Sequence, residues 1–148
     1  MKKNFFAFLL LMLIFNIRIF GGNFMDASPQ ARYSFKKDYP GALHATWERV
    51  YEESIYAVRF VNGNEAAVAY YNEEGDRIAF ARVIKMPALP GAVKVKINGM
   101  FKEEEIKSVQ ELVMNQKTCY FFETERNGVK KLIGVYSNGH LKHARTGE

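Results

Sequence analysis

At 148 residues the chain has room for one domain, or for two small units that share a core. Its 48% hydrophobic and 25% charged residues exclude a disordered chain. Of the formal charge of +5, Lys2, Lys3 and Arg18 against Asp26 supply +2, and the remaining +3 is interleaved with acids, as in Glu103, Glu104, Glu105 and Lys107, which argues against a nucleic-acid binder.

Lys2 and Lys3 precede an apolar run from Phe5 to Phe15, the pattern of a secretory signal peptide. Asn16 and Arg18 interrupt it before the roughly 20 residues that a helix needs to cross a bilayer. Residues 1–27 are therefore expected to be a signal peptide, cleaved after Gly21, Gly22 or Ala27, with no stable membrane span afterwards. The mature chain is expected to be periplasmic or secreted. Cys119 is the only cysteine, so no internal disulfide forms. Flanked by Thr118 and the run Tyr120, Phe121, Phe122, it reads as a small buried hydrophobe on a strand.

Ser28 and Pro29 form a helix start, with a side-chain acceptor for an unpaired N–H and a proline tolerated in the first turn. Ala31, Phe35 and Tyr39 recur every four residues as an apolar stripe, and Pro40 and Gly41 end the helix. From Ala42 to Tyr51 the pattern alternates, with Leu43, Ala45 and Trp47 opposite His44, Thr46 and Glu48. Ile55 to Val61 is a second strand, turned by Asn62, Gly63 and Asn64 into a third, Ala66 to Tyr71. Glu74 and Gly75 turn the chain into a fourth, Arg77 to Lys85. The order is one helix followed by four antiparallel strands.

The second half repeats that order less clearly. Val93, Ile97 and Phe101 fit a helix over 91–101, yet Val93, Val95 and Ile97 also alternate as in a strand, and Gly91 and Gly99 are poor helix residues. Over 103–114 Ile106, Val109, Leu112 and Val113 fit an amphipathic helix, whereas a repeat places a strand there. The repeat decides for helix in the first stretch and strand in the second. Lys117 to Arg126, a turn at Asn127 and Gly128, Val129 to Tyr136, a turn at Asn138 and Gly139, and Leu141 to Arg145 complete the unit. Gly63 and Gly75 lie twelve positions apart, Gly128 and Gly139 eleven, so the hairpins nearly superimpose. The expected fold is α+β: two tandem helix-plus-four-antiparallel-strand repeats, 28–85 and 86–148, forming one sheet with two helices on one face.

The ordered series Tyr39, Pro40, Gly41, Trp47, Tyr56, Phe60, Asn62, Gly63, Tyr71 and Gly75 resembles the PepSY-like family of exported bacterial proteins, also described as beta-lactamase-inhibitor-like. The second half matches through Pro90, Val93, Ile97, Phe101, Tyr120, Asn127, Gly128, Tyr136 and Gly139, so the resemblance covers about 28–148. It implies paired helix-and-sheet units in one continuous sheet. It supplies no inhibitory residues, and likeness of fold is weak support for a function.

No chemistry-bearing motif emerges. His140 and His143 fall on opposite faces of a strand and His44 is remote, whereas zinc wants three or four convergent ligands. Asn72 to Asp76 lacks the spaced ligands of a calcium loop. Glu52 and Glu53, and Glu103 to Glu105, lie in connections rather than in a cleft that would tune them. No cofactor and no enzyme activity are expected. What remains is a surface: with helices on one side of the sheet, some of the aromatics Tyr56, Phe60, Tyr70, Tyr120 and Phe122 should lie on the open side, where rimmed aromatic patches mark binding sites. Cross-strand pairing under Lys and Arg stems explains the same residues without a site. The expected function is a non-enzymatic protein-binding or inhibitor-like module with an unidentified protein or peptide partner. A structural or envelope-stress module is the alternative, and a small-molecule carrier the third reading.

Overall fold

The computed structural model describes residues 27–50 and 54–142. All but the last residue of the expected signal peptide, Tyr51 at the end of the first expected strand, and the end of the last expected strand lie outside them. The elements are helix α1 (Pro29–Asp38), strands β1 (Leu43–Val50), β2 (Ile55–Asn62), β3 (Glu65–Asn72) and β4 (Arg77–Val83), helix α2 (Gly91–Asn98), and strands β5 (Ile106–Met114), β6 (Lys117–Arg126), β7 (Val129–Tyr136) and β8 (Leu141–Lys142). All eight strands join one antiparallel sheet in chain order. The described residues are thus α+β, with two α-helices and one sheet.

Ser28 caps α1: its Oγ accepts from the Ala31 N–H at 3.1 Å and donates to the Glu73 carbonyl at 2.8 Å, tying the helix start to the β3–β4 turn. Ala31 and Phe35 are buried, and Phe35 meets Trp47, Phe60 and Tyr71 edge-on, with centroids at 5.4, 5.0 and 6.4 Å. α1 thus packs on Tyr56, Val58, Phe60, Ala67, Ala69 and Tyr71. In the second half Val93 and Ile97 pack on Val109, Tyr120, Phe122 and Val135. Register links the two cores across the middle of the sheet, from Ala69 to Phe80, Phe80 to Val113 and Val113 to Thr118. Both helices therefore lie on one side.

Both ambiguous stretches resolve through their partners. Residues 106–114 are strand because β4 and β6 bond them from either side, a pairing that a lone amphipathic helix would leave unmade. Before them Glu103–Glu105 forms one 3-10 turn. α2 stops at Asn98 instead of reaching Phe101, and Gly99 closes it, with its N–H donating to the Val95 carbonyl at 3.2 Å. β4 ends at Val83, since the chain leaves the sheet through the turn Met86–Ala88. β1 departs from simple alternation: a bulge between Leu43 and Thr46 puts His44 at φ +55 and leaves Leu43 57% exposed. Trp47 still turns toward α1.

The turns use left-handed residues where they must. Gly63 has φ +62, Asn127 +51 and Gly128 +77; Asn115 and Gln116, at +51 and +59, make the β5–β6 turn without glycine. Gly75 and Gly139 occupy matching places, one at the end of each third strand, at φ +89 and +84. A Cβ on Gly75 would stand 2.8 Å from the Gln30 carbonyl oxygen, and one on Gly139 2.9 Å from that of Ala92, each carbonyl in the first turn of the neighbouring helix.

Candidate interaction surface

The other side of the sheet carries its own apolar cluster. Val50 and Ile55 begin it, Ala57, Val68, Tyr70, Ala79, Ala81, Leu112, Cys119 and Phe121 continue it, and Ile78, Met114, Leu132 and Tyr136 border it. One rung runs Val68, Ala81, Leu112, Cys119, Tyr136 across five strands. Every member belongs to the sheet itself, and among the described residues no helix or loop contributes to it. A sheet wet on one side would alternate apolar with polar; this one is apolar on both.

The five aromatics singled out from the sequence do not form an exposed patch. Tyr56, Phe60, Tyr120 and Phe122 lie on the helix-bearing side, at 8%, 3%, 6% and 0% exposure, and the helices cover them. Tyr70 alone lies on the opposite side, and it too is 0% exposed. The correction has a simple cause: β2 and β6 have apolar residues at both parities, and parity says which residues share a face but not which face receives a helix.

Sequence reasoning passed over the residues that border the helix-free side where it is accessible. Val83 is 39% exposed; in register it stands beside Gln110, and Gln110 beside Phe121. Gln110 is 3% exposed and its Oε1 has no hydrogen-bond partner, an amide acceptor set among apolar neighbours. Glutamine three residues after Lys107 in an alternating strand carried no signal beyond its parity. Polar pairs edge the face: Arg59 donates to Glu48 at 2.9 Å, and the Lys142 ammonium sits 4.9 Å from the Phe121 ring centre. Burial pushes the Cys119 thiol up to about 11, so at neutral pH it stays protonated and a poor nucleophile.

Elsewhere among the described residues the charged groups pair with one another across the strands. Arg82 bridges Glu111 at 2.7 Å and Glu65 at 3.1 Å in the gap between the helices, while the Tyr120 hydroxyl donates to Glu111 at 3.2 Å. These bonds hold β3, β4, β5 and β6 together. A depression of about 320 Å³ beside the α1 start is lined by Pro29, Gln30, Tyr33, Ser34 and Glu74. One exposed helix end and one turn enclose too little of a small molecule to hold it. Among the described residues no three His, Cys, Asp or Glu side chains gather as metal ligands, and no helix is long and apolar enough to cross a membrane.

The family-pattern residues sit at junctions. Tyr39 follows α1 and stacks on Phe80 at 5.7 Å, while Arg77 donates to its hydroxyl at 2.7 Å; burial raises its ionisation range and Arg77 opposes that. Pro40 and Gly41 turn the chain toward β1, Asn62 and Gly63 lead the β2–β3 turn, and Asn127 and Gly128 make that of β6–β7. Tyr71 donates to Asp38 at 2.8 Å, and Tyr136 flanks the helix-free cluster.

No protein-family model and no curated protein matches the chain. Solved structures do. A protein from Bacteroides eggerthii, provisionally described as periplasmic, aligns with a TM-score of 0.73 at 14% identity, over 80% of this chain and 88% of its own. A DUF2874 family protein from Bacteroides uniformis gives 0.70 at 17%, over 81% and 89%. A BLIP-like protein from Bacteroides fragilis gives 0.64 at 18%, over 82% and 86%. The inhibitor-like part of the resemblance drawn from the sequence agrees with these neighbours, whereas no family model matches for the PepSY-like part. At such identities what is shared is the fold: the two helices and eight-stranded antiparallel sheet of the described residues give this chain a BLIP-like and DUF2874-like fold.

Proposed function

We propose that the chain is an exported, non-enzymatic module that binds a protein or peptide on the helix-free side of its sheet, in the manner of an inhibitor. The observation behind this is the apolar cluster running from Val50 to Tyr136 with no described element outside the sheet packed on it. Its accessible border, with Val83 exposed beside the unpaired Gln110 oxygen, is where contact would begin. The likeness to a BLIP-like structure and to one provisionally described as periplasmic supports a protein partner and an extracytoplasmic place. A second reading, a structural module without a tight partner, draws on the burial of all five sequence-selected aromatics, which the core uses rather than the surface.

We also infer that units 28–85 and 86–148 are copies of one ancestor. The matched order of elements and the paired placement of Gly75 and Gly139 against a helix start support this.

Photo-crosslinking in cells that export the chain separates the two functional readings. A photoreactive residue in place of Val83 should yield one stoichiometric adduct, while the same residue in place of Val95, 77% exposed on α2, should not. Equal or absent adducts at both positions would favour the structural module.

A further inference from the structure

We propose that the helix-bearing side of the exported chain rests on an anionic lipid surface, which turns the opposite side of the sheet toward a protein partner. Each helix buries two residues four positions apart, Ala31 and Phe35 on α1, Val93 and Ile97 on α2. The residue midway between them is turned about 160° around the helix axis from each, and so points away from the sheet. That residue is Tyr33 on α1 and Val95 on α2, 72% and 77% exposed. Both units thus carry an apolar side chain at the same outward position, where a solvated helix ordinarily carries a polar one.

Charge selects the occupant. Lys36 and Lys37 follow Tyr33 by three and four positions and share its face, and Lys94 and Lys96 flank Val95. Among the described residues no carboxylate pairs with Lys36, Lys37 or Lys96, and Lys94 reaches the Pro87 carbonyl at 2.8 Å. α2 holds no Asp or Glu. Asp38, the one acid of α1, accepts from the Tyr71 hydroxyl at 2.8 Å and lies 3.8 Å from Arg77. Other acids near the helices stand in turns, Glu74 before β4 and Glu103 and Glu104 after α2, or pair with Arg82 in the gap, as Glu65 and Glu111 do.

A bilayer suits this layout better than a folded acidic protein. α1 packs on β2 and β3, and α2 on β5, β6 and β7. At the usual strand spacing the two outward residues therefore stand roughly 15–20 Å apart. The floor between them is the Arg82 network, whose charges are already matched. A flat layer of headgroups meets both helices at once. Its polar boundary takes up the Tyr33 ring and the Val95 side chain, and its phosphates attract the lysines around them.

The test is sedimentation of the chain, as cells export it, with vesicles of phosphatidylglycerol and phosphatidylcholine in equal parts. These should bring the chain down at low salt, and phosphatidylcholine alone should not. Paired variants share whatever precedes α1 and so separate this surface from net charge. Lys36→Gln with Lys96→Gln should weaken binding roughly tenfold or more. Lys117→Gln with Lys130→Gln removes the same charge at the parity of Cys119 and Leu132, on the other side, and should weaken it less than about twofold. The emission of Val95→Trp should shift to the blue on the anionic vesicles, and that of Val129→Trp, on β7, should not. Equal loss in the two pairs, equal binding to phosphatidylcholine alone, equal shifts at 95 and 129, or no sedimentation would overturn the proposal. So would saturable binding of soluble poly-glutamate without vesicle binding, which would assign the surface to an acidic protein. The proposal rests on the export reading alone, and none of these outcomes bears on the adduct at Val83.

Discussion

Arg126 clamps the turn that follows α2. Its Nε donates to Glu105 Oε1 and its Nη2 to Oε2 at 2.7 Å, while the same Nη2 reaches the Met100 carbonyl at 2.9 Å. The guanidinium lies 5.0 Å from the Phe101 ring centre. These Arg126 bonds first, and the Lys102 N–H second, hold the Glu105 carboxyl down at about 2. A carboxyl whose native value lies below its unfolded one, about 4.3, stabilises the fold fully above that value and loses the contribution as pH falls through about 2. A carboxyl titration followed by NMR should place the Glu105 midpoint near about 2 and return it to the ordinary range in Arg126→Ala; an ordinary midpoint in the unchanged chain would show that the clamp does not persist in solution. Neither this pair nor Tyr71 with Asp38 was legible in the sequence, because the partners stand 21 and 33 positions apart. Only the folded chain juxtaposes them.

At the scale of elements, each helix is held at its start by the glycine that closes a third strand. Replacing Gly75 with Ala forces a Cβ against the Gln30 carbonyl from a left-handed backbone; Gly139→Ala does the same at Ala92. Each should cost about 2 kcal/mol or more, against a few tenths for Gly41→Ala, which has open space around it. Chemical denaturation checks the ranking, and similar losses at Gly75 and Gly139 would support a shared ancestry of the units. The glycines themselves were visible as turn signals. What they touch was not, since a turn motif encodes its own backbone angles and nothing about the helix that lies against it. The strand over 106–114 shows the converse: its residues fit two periods, and the neighbours on both sides chose one.

At the scale of the molecule, the two helix-side cores are separate clusters, but the cluster on the other side runs through both halves, from Ile55 to Phe121, across the β4–β5 pair. Cutting the chain after residue 85 would open that pair and expose Ala79, Ala81 and Leu112. The full chain should unfold in one calorimetric transition, and the isolated pieces should show no cooperative melt alone. Two independent transitions would show that each unit has a sufficient core of its own. The sequence by itself pointed to α1, to strands β2, β3, β4, β6 and β7 and to the glycine-bearing turns, because propensity, alternation and left-handed turn residues act over a few neighbouring positions, whereas the strand over 106–114 needed its partners β4 and β6 and a bulge broke the simple alternation expected of β1. Which parity the helices cover, and hence the burial of Tyr56, Phe60, Tyr120 and Phe122 beneath them and of Tyr70 on the other side, was decided by the tertiary structure. Two apolar faces are equivalent to a strand until a helix from elsewhere in the chain packs on one of them.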